Sequence, residues 1–236
     1  MKYVKLNNVD VDERRPQNLQ NEIASMNPES IISTNNGSAA LRAAVGKIIH
    51  RISESLPDLR EPVKMYLAGG VAVNFYTGYR VTDDIDASFS QRIILPNANE
   101  LVVSYDDENG QHKMVYFDMN YNPTFAIMHP DFEKDAAPVE GNEFKDDKIR
   151  LYILSPADLA LSKISRFEDN DKEDIAELAR RKLISPKELE QRAEKAFSYY
   201  IGNQSMLKMN LQDALGIIRT VQQDLNQDNK GKGNER

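Results

Sequence analysis

The stretch LAGGVAVNFYTGYRVTDDIDASF, residues 67–89, decides the fold. An apolar run ends in two adjacent glycines, Gly69 and Gly70, and a short helical pattern from Val71 to Tyr76 closes on Gly78. After Thr82 come Asp83, Asp84 and Asp86, in sequence that otherwise reads as a strand. Alternation over Asp84 to Phe89 puts Ile85 on one side and Asp84, Asp86 and Ser88 on the other. Two same-face carboxylates about 7 Å apart repel by roughly 2 kcal/mol at an effective dielectric near 20. A partly buried pair of this kind is tolerated where a divalent cation neutralises it or one carboxyl stays protonated.

Upstream, Val63 to Leu67 reads as a buried strand. Before it, Leu41, Val45, Ile48, Ile49, Ile52 and Leu56 form one stripe of an amphipathic helix that ends before Pro57. Downstream, Leu101–Tyr105 and Lys113–Met119 flank the turn-forming string DDENGQ, which implies an antiparallel hairpin. The second of these strands carries Asp118 within VYFDMNY, mid-strand and facing away from Phe117 and Met119. A further strand is expected at Ile149–Leu154, followed by Ser155 as N-cap and Pro156 at the first helical position. Helices are expected near 156–166, 171–183, 186–201 and 210–225.

The expected organisation is an irregular, polar arm over 1–37, an α/β domain over 38–154, a helical domain over 155–225 and a flexible tail over 226–236. The fold class is α/β (α+β), a mixed sheet flanked by helices and followed by a helical C-terminal half. At 236 residues, 40% hydrophobic and 28% charged, the chain can bury a substantial core, and no apolar run approaches the length of a membrane span. The net charge of -7 argues against nucleic-acid binding by the whole surface but leaves room for a local basic groove. The first residues show no secretory pattern and there are no cysteines, so a cytoplasmic location is expected.

Chemistry follows from the combination. A helix N-terminus presents free N–H groups to an anion, and glycines let a phosphate approach the backbone. A two-metal phosphoryl-transfer site needs a same-strand acid pair and a further carboxylate from a neighbouring strand, which Asp118 supplies. A lone Asp-x-Asp pair is more often a solvated strand face, and a lone Gly-Gly is weaker still. The ordered set of strand, Gly-Gly, helix, acid pair and later acid is what carries weight.

The run 67–89 resembles the signature of the nucleotidyltransferase-fold (polymerase beta-like) superfamily, and its spacing is similar to that of abortive-infection type nucleotidyltransferase toxins and their relatives. A second stretch, LSPADLALSKISRFEDNDKEDIAEL at 154–178, resembles the family segment in which a helix Lys precedes an acidic helix start. The resemblance covers roughly residues 60–180. It implies a metal-dependent transferase that uses Mg2+ or Mn2+, with Asp84, Asp86 and Asp118 as metal ligands and catalytic acids. It also implies that Gly69 and Gly70 meet the triphosphate, that Lys163 meets phosphate charge, and that Asp174 orients the lysine or the acceptor. The implied partners are a nucleoside triphosphate, an acceptor that is tRNA or protein, and an antitoxin protein, with no membrane. Val71 stands where many members carry Ser or Thr, and Thr82 is the residue able to replace that hydroxyl. This departure motivates the alternative of a catalytically inactive nucleotide- or metal-binding regulatory protein with the same fold.

The remaining polar features read as structural. Asp83 is expected to cap or to pair with Arg80, and Asp106, Asp107 and Glu108 to solvate a hairpin tip. His50, His112 and His129 have no ligand spacing. Arg180, Arg181, Lys182, Lys187, Arg192 and Lys195 read as a solvated helix face that could also guide an RNA acceptor, and Tyr199 and Tyr200 as packing for the helical half.

Overall fold

The computed structural model describes residues 39–79, 82–124 and 126–233. The expected arm over 1–37 lies outside the described residues, and so does Arg80. Helix α1 (Ala39–Ser55) buries the stripe anticipated for it, with Leu41, Val45, Ile48, Ile49 and Ile52 all withdrawn from solvent. Strand β1 (Val63–Leu67) follows, and then helix α2 (Gly69–Thr77). The two glycines form no separate turn, because α2 begins at Gly69 itself. The helix closes as expected on left-handed Gly78, whose amide donates to the Asn74 carbonyl.

The strand expected over Asp84–Phe89 is divided at Asp86. Its first part, β2 (Asp84–Ile85), and its second, β3 (Ala87–Phe89), belong to different sheets. β3 runs antiparallel to β1, while β2 runs parallel to β5 (His112–Phe117). Asp86 stands where the chain leaves one sheet for the other, and its carbonyl accepts the Ala68 amide at 2.8 Å. Period-two alternation records which face a residue occupies and carries no information about a change of partner.

The three-stranded sheet has the order β2, β5, β4, where β4 is Val102–Asp106 and pairs antiparallel with β5 in the expected hairpin. At the tip Asp107 accepts the Asn109 and Gln111 amides through Oδ1, and Gly110 takes a positive φ. The other sheet has the order β3, β1, β7, β6, with β6 (Ala137–Pro138) and β7 (Ile149–Ile153); β7 is parallel to β1. A single turn, α3 (Phe132–Asp135), precedes β6. β7 matches the strand expected there, ending one residue early.

Beyond Leu154 the chain is helical: α4 (Pro156–Ser162), α5 (Asp169–Arg180), α6 (Pro186–Tyr199) and α7 (Ser205–Gly233). Ser155 caps α4 as expected, accepting the Asp158 amide ahead of Pro156, and Ser185 with Pro186 repeats the device on α6. α4 stops at Ser162, short of the end expected near 166, because Lys163 tightens the last turn and Phe167 enters the left-handed region. α7 runs from Ser205 to Gly233, beyond both ends of the 210–225 expected for it.

Two expectations about the helical half are corrected. Tyr199 and Tyr200 are 64% and 41% exposed, so they do not pack it; α6 ends there and turns both rings outward. Arg192 is no solvated helix residue, because it reaches inward to Asp158, which is completely buried, and to Asp135. Arg180 and Arg181 are engaged by Glu177 of their own helix. Among the described residues no helix is long and apolar enough to cross a membrane.

Candidate active site

The site lies where α2 begins against the break between β2 and β3. Gly69 has φ +61°, and a Cβ built there would come 2.1 Å from the Asp86 Oδ2. Any side chain at this position would both strain the backbone and displace that carboxylate. Ala68, the N-cap residue of α2, makes no side-chain hydrogen bond to the first turn of the helix. Gly70 packs against Thr82, whose side-chain atoms would stand 3.0 to 3.2 Å from an added Cβ. Thr82 in turn donates its hydroxyl to Asp84 Oδ1. Gly69, Gly70, Thr82, Asp84 and Asp86 therefore form one contiguous surface.

Asp118 arrives from β5, although not from within it. The strand ends at Phe117, and Asp118 is the next residue, its amide still donating to the Ile85 carbonyl at 3.0 Å. Its own carboxylate accepts the Asn120 amide at 2.8 Å, and its carbonyl accepts from Tyr121, which turns the chain away from the sheet. An aspartate that hydrogen-bonds the backbone two residues on favours a turn over a ladder, which corrects the mid-strand expectation. The parallel register Asp84 to Tyr116 and Ile85 to Phe117 nevertheless carries Asp118 alongside Asp86.

Proximity of the acids shows in their electrostatics. Burial first, then the charges of Asp84 and Asp118, push the Asp86 carboxyl up to about 6, against the opposing pull of Lys163 and Arg166. Burial and the Asp86 charge also raise the phenol of Tyr121.

Lys163, the C-cap residue of α4, is buried and reaches Asp174 Oδ2 at 2.6 Å and Asp171 Oδ1 at 3.3 Å. Both acids lie on α5 and are buried with it. Arg166 grips Asp171 with two hydrogen bonds of 2.9 Å, from Nε and from one terminal nitrogen. Arg166 and Asp171 were not anticipated as site residues. The signal was present in LSKISRFEDND, where two cations, Lys163 and Arg166, directly precede the acidic start of α5.

Around this point five carboxylates, those of Asp84, Asp86, Asp118, Asp171 and Asp174, face two cations, Lys163 and Arg166. The hard oxygen donors of Asp84, Asp86 and Asp118, their mutual repulsion and the glycine cradle beside Asp86 suit a divalent cation of the magnesium or manganese kind. Among the described residues, no three His, Cys, Asp or Glu side chains stand in an arrangement that would hold a metal ion as they lie. The fit of the three acids to such an ion rests on the chemistry of their oxygen donors.

The remaining polar residues stay apart from this site. His50 pairs with Asp146 and His112 with Asp106, while His129 accepts the Asp131 amide. Asp83 is exposed, and its carbonyl accepts the Tyr116 amide.

Compared with known families, residues 44–214 match the family described as nucleotidyltransferase of unknown function (DUF6036), a match over more than half of the chain. The chain belongs to that family. The DUF6036 match takes in both stretches that carry the resemblance, from Gly69 through Asp174. No curated protein and no solved structure matches the chain.

Proposed function

We propose that this nucleotidyltransferase-family protein transfers a nucleoside monophosphate from a nucleoside triphosphate to an acceptor hydroxyl and releases pyrophosphate. The observation that carries the reading is the meeting of Gly69, at the open start of α2, with the Asp86 carboxylate beside Asp84 and Asp118. Asp84, Asp86 and Asp118 would hold Mg2+ or Mn2+, which when bound neutralises the triphosphate and lowers the pKa of the attacking hydroxyl. Gly69 and Gly70 admit the phosphate chain to the helix N-terminus. Thr82 orients Asp84, and Lys163 and Arg166, held in place by Asp174 and Asp171, set a positive field beside Asp86 for the phosphates. Asp118 accepts the proton of the acceptor hydroxyl as its oxygen bonds to the α-phosphorus and the bond to the β-phosphate oxygen breaks. The acceptor is a tRNA or a protein, and the activity suits a growth-arresting toxin of an antitoxin or phage-defence system.

A second reading is a regulatory protein that binds nucleotide or metal without turnover. Val71, in place of a hydroxyl-bearing residue, favours it. One experiment separates the two. Each of four α-labelled nucleoside triphosphates is incubated with the protein, Mg2+ or Mn2+, and tRNA or cell protein, beside an Asp84→Asn/Asp118→Asn variant. Label that reaches an acceptor only with both acids intact supports the transferase. Nucleotide binding without transfer under any combination refutes it in favour of the scaffold.

A further inference from the structure

Among the described residues, the sheet that carries Asp84 has one face covered by α1 and one face that is open. Ile85, Val103, Val115 and Phe117 are buried on the covered side, where α1 packs. On the open side the register aligns three rows: Asp84 with Tyr116 and Val102, then Met114 with Ser104, then His112 with Asp106. Met114 is 49% and Tyr116 40% exposed, large apolar side chains of a kind a folded protein keeps in water at a cost. They form a continuous stripe that leads from the acids to the hairpin tip.

Among the described residues, the charge on this face is that of carboxylates, with His112 beside Asp106 at its far end. Asp84, Asp106 and Asp118 share the face, Asp83 adjoins it, and none of the paired positions in the three rows is Lys or Arg. The field at the Tyr116 hydroxyl accordingly comes from Asp84, Asp118, Asp83 and Asp86. An RNA acceptor needs cations along the track of its phosphates, and this surface offers it carboxylates. A polypeptide with basic residues and an apolar anchor meets both properties of the face, because Met and Tyr serve as adaptable anchors and the acids select positive charge.

Resting on the transferase reading above, we infer that the acceptor is a cationic polypeptide segment that docks across the open face of the β2–β5–β4 sheet over Met114 and Tyr116. Its Ser, Thr or Tyr hydroxyl is thereby presented at the acids. The hydroxyl oxygen bonds to the α-phosphorus of the nucleoside triphosphate, its proton passes to Asp118, and pyrophosphate leaves with the electron pair of the broken bond.

Met114 takes no part in the chemistry, so it provides the test. Wild type, Met114→Lys and Met114→Leu are given α-labelled nucleoside triphosphate and Mn2+ with total cell protein or total tRNA in separate reactions, and their urea unfolding is compared to confirm folding. The expected result is labelled protein with wild type and Met114→Leu, and at least a tenfold loss with Met114→Lys through a raised KM for the acceptor. Label on tRNA, or protein labelling indifferent to Met114→Lys, overturns the inference and leaves the transferase standing. No label on either acceptor with wild type refutes the transferase and the inference together.

Discussion

Two groups of aspartates are treated in opposite ways. Asp158, Asp171 and Asp174 are more deeply buried than any acid of the candidate site, and each is matched by a cation of the chain: Arg192, Arg166 and Lys163. Asp84, Asp86 and Asp118 lie half-buried beside one another, and among the described residues the cations that act on Asp86, Lys163 and Arg166, are already held by Asp171 and Asp174. Among the described residues, three buried acids are neutralised by side chains of the chain, while Asp84 and Asp118 repel Asp86. On the transferase reading proposed above, the first group is architecture and the second a place for charge from outside.

Breaking the matched group should have the largest effect. Arg192→Met removes two hydrogen bonds from a carboxylate with no solvent access and leaves Asp135 without its 2.7 Å partner. Leaving a buried charge unpaired costs about 3–5 kcal/mol. Urea unfolding should register that loss, and Asp158→Asn in the same chain should return much of it. If Arg192→Met is neutral, the matched group does not hold the fold.

The unmatched group should respond to added charge. At a concentration one hundred times its dissociation constant, Mn2+ should stabilise wild type by about 2.7 kcal/mol. An Asp84→Asn/Asp86→Asn variant should show no shift. An equal shift in both proteins would place the ion elsewhere.

Removing charge from the unmatched group should stabilise the metal-free protein. The Asp86 carboxyl stands at about 6 in the fold against 3.8 ordinarily, so the folded state holds its proton more tightly than the unfolded one. Its contribution is present in full below about pH 4 and is lost as the pH rises through about 6. Asp86→Asn should therefore raise stability at pH 7 by on the order of 1–3 kcal/mol, and the gain should shrink toward zero at acid pH. Destabilisation at pH 7 would mean that Asp86 is satisfied where it stands.

How much of this was legible in the sequence depended on range. The Gly-Gly helix start, the Asp84 and Asp86 pair and the hairpin were legible because sterics and alternation fix them within a few residues. The break at Asp86 was not, since β2 and β3 keep one alternation while pairing with strands far apart in the chain. Asp118 was legible as an acid on the next strand of the hairpin, but its place just past the strand was not, because its side chain holds the Asn120 amide in a turn. Arg192 was read as a solvated residue because Asp158, its partner, comes from another helix. The resemblance placed Lys163 and Asp174 together without revealing that Phe167, in a left-handed conformation, folds Arg166 back onto Asp171.

The smallest effect separates backbone strain from site geometry. Gly69 and Gly110 have nearly the same positive φ, +61° and +70°, but a Cβ at Gly110 would meet nothing within 4 Å, whereas one at Gly69 would meet Asp86 Oδ2. Alanine in the left-handed region costs about 1–2 kcal/mol, so both Gly→Ala variants should lose stability on that scale. An added Cβ at Gly69 would press on the whole Asp86 side chain, Cβ included, so the extra cost there should appear in binding as well as in stability. Gly69→Ala should weaken Mn2+ and nucleotide binding, read as a loss of their thermal shifts, while Gly110→Ala should leave both unchanged. If the two variants bind alike, the approach of α2 to Asp86 is a packing detail, and the distinction between the matched and unmatched acids loses its functional meaning.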